Sequence, residues 1–151
     1  ILHRLVGSEM CIRDRCRERS YMTKVLVNGA FDILHSGHIN LLKYAKYVGD
    51  YLIVALDTDE RIKEAKGSDR PINNQRIRKM IMETLKPVDE VLLFGTDEEL
   101  INIMKKADIR IIGSDWKDKE IVGKEHCKLL FYDRINDEST TNTIENYINR
   151  R

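Results

Sequence analysis

The sequence predicts an α/β domain built as one open, five-stranded parallel sheet with helices on both faces. Three observations predict it. Apolar, β-branched runs alternate with segments of helical period from Thr23 to the C-terminus, as in strands joined by crossover helices. The Gly/Ser/Pro loop "KGSDRP" (66–71) interrupts the periodicity between one such unit and the next. At 151 residues the chain fits a single domain that buries roughly two-thirds of its unfolded surface.

Taken in order, "KVLVNG" (24–29) is a β-branched run ending in Asn-Gly and reads as the first strand. "HINLLKYAKYVG" (38–49) carries apolar residues at Ile39, Leu42 and Ala45 before a glycine stop, and reads as a helix. "YLIVALD" (51–57) is a second, buried strand, followed by a short charged helix ending near the loop "KGSDRP" (66–71). "NQRIRKMIMETL" (74–85) is a helix broken by Pro87, and "EVLLF" (90–94) is a third strand. A helix over 97–107 leads into "IRIIG" (109–113) as the fourth strand. A polar loop and a short helix to Cys127 precede "KLLFYD" (128–133) as the fifth. "ESTTNTIENYINRR" (138–151) reads as a capped C-terminal helix.

Composition narrows the function. Lys plus Arg number 26 against 25 Asp plus Glu, which supplies no broad cationic face for nucleic-acid phosphates. No apolar run approaches the ~20 residues that span a bilayer, and no basic block flanks an amphipathic segment, so a soluble protein without a membrane partner is expected. Cys11, Cys16 and Cys127 are odd in number and lack C-x-x-C spacing, which fits a reducing cytoplasm. Residues 1–21 have no sustained period and hold five basic and three acidic residues. They read as an artefactual or disordered extension, with "VGSEMCIRDR" resembling a translated adapter fragment. A single domain over 22–151, starting at Met22, is the expectation, with 21 basic against 22 acidic residues.

The stretch "AFDILHSGHINLL" (30–42) carries the first chemical signal. If the helix starts near Ser36, His35 and His38 share one face at its N-terminus, where unpaired N–H groups and the helix dipole favour an anion. Gly37 between them leaves the backbone open to a ligand. The same spacing also suits half of a metal site, with Asp32 as a third ligand. Ser139, Thr140 and Thr141 precede the last helix, and a cap requires only one of them. Trp116, in the loop "GSDWK", is a large ring of the kind that marks a binding surface when left wet. Asp59 in "DTDE" reads as an N-cap.

"NGAFDILHSGHINLLKYAKYVGDYLIVALDTDE" resembles the nucleotidyltransferase superfamily with the H-x-G-H signature, in particular its small cytidylyltransferase-like group. The resemblance runs from about Lys24 to the C-terminus and implies a Rossmann-like sheet. It also implies a reaction in which an acceptor phosphate oxygen attacks the α-phosphorus of a nucleoside triphosphate in line, expelling pyrophosphate without a covalent intermediate. It assigns His35, His38, Lys66 and Arg78 to catalysis, with Lys63 as the competitor of Lys66 and Arg76, the near neighbour of Arg78, read as a surface charge. It assigns Gly29, Ala30, Phe31, Asp32, Gly37, Asp115, Trp116, Arg134, Ser139, Thr140 and Thr141 to nucleotide binding. Asp137 and Glu138 depart from the family pattern, which has a glycine and an apolar residue there.

The motifs divide over substrates. Arg134 and Trp116 favour CTP and glycerol 3-phosphate, whereas "KGSDRPIN" and "IVGKE" resemble heptose 1-phosphate adenylyltransferases. The arginine, which touches the triphosphate in the family, gives CTP as the main expectation and ATP with a heptose phosphate as the alternative. A catalytically silent nucleotide-binding module is the alternative of another class. The first strand is not followed by G-x-G-x-x-G, which disfavours a dinucleotide oxidoreductase. Mg²⁺ is expected with the triphosphate, and a homodimer is expected with "LKPVDEVLLF" (85–94) as its candidate contact.

Overall fold

The computed structural model describes residues 21–133 and Glu145. Five strands, β1 (Lys24–Gly29), β2 (Tyr51–Asp57), β3 (Glu90–Phe94), β4 (Ile109–Gly113) and β5 (Lys128–Tyr132), pair in the order β3-β2-β1-β4-β5. Every pairing is parallel. The connections hold helices α1 (Ser36–Val48), α2 (Asp59–Lys66), α3 (Gln75–Glu83) and α4 (Asp97–Met104), together with a 3₁₀ turn at Ser114–Trp116. This is the Rossmann-like α/β architecture. Among the described residues no helix is long and apolar enough to cross a membrane.

Strand alternation divides the core into two layers. Val25, Val27, Leu52, Val54 and Ile111 face Leu42 and Ala45 of α1 and Met82 of α3. Leu26, Ile53, Ala55 and Phe94 face Leu100, Ile103 and Met104 of α4. Each such fully buried aliphatic side chain contributes roughly 1.5–3 kcal/mol, so the central strands anchor the fold.

Local chemistry sets the helix starts. Thr58 caps α2 by accepting from the Arg61 amide, so Asp59 is not the N-cap that the sequence suggests. Asn74 caps α3 through the Ile77 amide, and Thr96 with Glu99 forms a capping box on α4. α1 differs: its N-cap is His35, whose side chain makes no cap hydrogen bond.

α1 starts at Ser36, as expected from the histidine pair, two residues before the apolar run 38–49. The structure shortens two helices: α3 and α4 stop at Glu83 and Met104, and residues 84–85 and 105–107 pass into turns and coil. No helix leads to Cys127; the segment after Trp116 is a series of turns. The expected C-terminal helix lies outside the described residues, apart from helical Glu145.

Candidate active site

The strand order places a topological switch between β1 and β4, whose onward connections leave in opposite directions. In open α/β sheets ligands bind at the carboxyl ends of such strands. A cleft of about 490 Å³ lies there. Its walls come from the ends of β1, β2, β4 and β5 and from α1, α2 and α4.

His35 and His38 line it from the head of α1 with their rings stacked, centroids 3.8 Å apart and 28° between planes. Phe31 contacts the second ring at 4.9 Å between centroids. Its backbone is left-handed, at φ 46°, a conformation a side chain adopts only when the surroundings hold it there.

The hold comes from a polar network beneath the loop. Asp32, 6% exposed, accepts the backbone N–H of Ile72 (2.7 Å) and of Asn73 (2.8 Å), and the Asn73 amide donates back to the Asp32 carbonyl. Arg78 is fully buried. Its Nε donates to the Asn73 carbonyl, Nη1 to the Ala30 carbonyl at 2.7 Å, and Nη2 to the Asp57 carbonyl and the Asp59 carboxylate at 2.8 Å each. The resemblance gives Arg78 a catalytic role, but it stands apart from the cleft lining, with its donors committed to protein oxygens. The geometry makes it a positioning residue that joins the loop after β1 to the ends of β2 and α2.

Lys66 lines the cleft as the last residue of α2 and not from within a loop; Gly67, at φ 97°, turns the chain immediately afterwards. Lys63 and Arg76 are exposed and outside the lining. Arg61 binds the Asp57 carboxylate at 3.0 Å and Asp97 at 2.7 Å, fixing α2 against α4. Burial pushes the Asp57 carboxyl above the usual aspartate range, while Arg61, Arg78 and Lys66 pull it back.

Gly29, Ala30, Phe31, Asp32 and Gly37 are all in the lining. Trp116 is in it too, 45% exposed, with the Lys119 ammonium 4.9 Å from its ring centroid; neighbouring Asp115 is exposed and outside it. Arg134, Ser139, Thr140 and Thr141 lie outside the described residues. Among the described residues no group of three or more His, Cys, Asp or Glu side chains could hold a metal ion. Asp32 is committed to backbone amides, which leaves the histidine pair without that third ligand. Sequence reasoning missed Asn28, Arg61, Arg70 and Arg110, all in the lining. A lone arginine inside the apolar strand "IRIIG" was the one available signal for Arg110.

A parallel sheet with a switch-point cleft headed by a helix N-terminus and two histidines is the arrangement in which open α/β sheets bind their ligands. The sequence model of the cytidylyltransferase-like family matches residues 26–145. The chain belongs to that family and is a nucleotidyltransferase domain. It is 43% identical over 130 residues to a bifunctional protein HldE of Campylobacter fetus, covering 84% of this chain and 28% of that protein. Over 124 residues it is 44% identical to the bifunctional protein HldE of Nitratiruptor, covering 80% of this chain and 27% of that protein. The chain thus spans about a quarter of the length of these curated relatives. A lipopolysaccharide core biosynthesis protein of Thermoplasma volcanium superposes with a TM-score of 0.62 at 26% identity, covering 78% of this chain and all of that one.

Proposed function

We propose that the domain transfers AMP from ATP to a sugar 1-phosphate of the heptose type, releasing pyrophosphate. The carrying observation is the family of relatives: proteins named HldE align over four-fifths of the chain, and a structural neighbour is named for lipopolysaccharide core biosynthesis. They outweigh the expectation of CTP and glycerol 3-phosphate, which depended on Arg134, a residue outside the described structure.

In this reading the acceptor phosphate oxygen attacks the α-phosphorus, and the bond to the bridging oxygen breaks as pyrophosphate leaves. His35 and His38 donate to phosphate oxygens as charge builds on them; the stacking fixes both rings before the substrate arrives, so little reorganisation is needed in the transition state. Lys66 draws the acceptor phosphate toward the α-phosphate from the opposite wall. Mg²⁺ accompanies the triphosphate, held by phosphate oxygens and water, and supplies charge neutralisation.

The test is pyrophosphate release with Mg²⁺, crossing ATP and CTP with heptose 1-phosphate and glycerol 3-phosphate. Release with ATP and the heptose phosphate, abolished by EDTA, is the expected outcome; release confined to CTP and glycerol 3-phosphate would overturn the substrate assignment. His35→Ala and His38→Ala are each expected to lower kcat roughly 100-fold, the usual scale for losing one such donor.

A further inference from the structure

The cleft has two sides. His35, Gly37 and His38 line it from α1, on one face of the sheet. Ile62, Ala65 and Lys66 of α2, with Leu100 of α4, line it from the other. Arg110 opens on that second side. In register it lies opposite Leu26, a residue of the α4-side core, so its side chain leaves the sheet on the α4 face, where Asn28 also points.

Arg110 is only 5% exposed, and among the described residues it forms no ion pair. Its Nε donates to the Asn28 side-chain oxygen at 3.0 Å, and Nη1 to the Val122 carbonyl at 2.7 Å, with the Met104 sulfur at 3.4 Å. Among the described residues Nη2 has no acceptor. Burial pulls the guanidinium pKa downward, opposed only by the nearby Cys127 thiol. A cation held in a core without a carboxylate is costly, and its neighbours here already fix the orientation of the fork. Asn28, whose oxygen is turned to Arg110, keeps its amide nitrogen as a second donor.

We propose that Arg110, together with Asn28, binds the oxygens of the hydroxyl-rich body of the acceptor. The inference rests on the sugar phosphate reading above. Lys66 gathers the acceptor phosphate in that reading, so the space beyond it on the α2 side, floored by Arg110, receives the rest of the acceptor, while the nucleotide phosphates occupy the histidine side. Two fixed donors suit adjacent hydroxyl oxygens, and Ile62, Leu100 and Val122 suit the carbon faces between them.

The test compares wild type with Arg110→Met, which keeps the volume beside Met104, and with Arg110→Lys. Steady-state assays with ATP and heptose 1-phosphate should show the acceptor KM raised at least about tenfold in Arg110→Met. The KM for ATP should stay within about twofold, with thermal unfolding still a single cooperative transition. Arg110→Lys should restore part of the acceptor affinity. An unchanged acceptor KM, or an equal rise in the KM for ATP, overturns the proposal. If wild type uses only glycerol 3-phosphate, the sugar reading fails on its own, and the same KM comparison with that acceptor decides the role of Arg110. If wild type uses neither acceptor and calorimetry finds neither bound by the ATP-loaded protein, both fail.

Discussion

Arg78 concentrates the energetics of the site in one side chain. Its guanidinium meets three backbone carbonyls and the Asp59 carboxylate with no exposure to solvent. Arg78→Ala would leave the partly buried Asp59 carboxylate and three carbonyls facing a void without their donors, a loss of about 3 kcal/mol. Urea unfolding is the direct measurement, and a clear fall in midpoint with an unchanged slope is expected. Activity should fall with it, since the clamp carries the loop that sets Phe31 against His38. The importance of this arginine was legible in the sequence through resemblance, but its job was not. In "QRIRKMIMETL" Arg78 and Arg76 look alike, and only the convergence of residues 30, 57, 59 and 73 separates the buried clamp from the exposed neighbour. Arg110 was missed for the related reason that the partners which orient it, Asn28 and Val122, are far from it in sequence.

At the level of elements, the strands were the most readable feature. Runs 24–29, 51–57, 90–94 and 109–113 match β1 to β4 end for end, because a strand of a helix-covered parallel sheet is a short, largely apolar run bounded by polar or glycine residues. Helix ends were less readable, since a periodic side-chain pattern does not report where backbone hydrogen bonding tightens into a turn. Gly49 shows how a correct boundary can rest on an unseen cause. It ends α1 as expected of a helix stop, yet its φ of −139° is ordinary extended backbone. The requirement is steric: a Cβ there would collide with the Val25 side chain and lie 2.9 Å from the Thr23 carbonyl oxygen. Gly49→Ala is therefore expected to lower stability by roughly 1–3 kcal/mol through displacement of α1 from β1. Thermal unfolding would show it as a lower midpoint, and a wild-type midpoint would mean that this packing is not tight.

For the whole molecule, alternation of the elements was enough to give the class and the parallel sheet. Strand order was not, because nothing local in "IRIIG" says that it lies beside "KVLVNG" and not beside "EVLLF". That order creates the switch point, and with it the cleft that gathers His35, Lys66 and Arg110 from three separate segments.

A cleft with walls from four of the five strands also couples occupancy to folding. A nucleotide held there contacts a surface that exists only while the sheet is intact, so its binding free energy adds to the stability of the entire domain. At a hundredfold excess over the dissociation constant this linkage amounts to about 2.7 kcal/mol. Melting curves taken in ATP, CTP, GTP and UTP should therefore rank the nucleotides by affinity without any acceptor, with the largest upward shift for ATP. A larger shift with CTP would return the domain to the cytidylyl branch of its family.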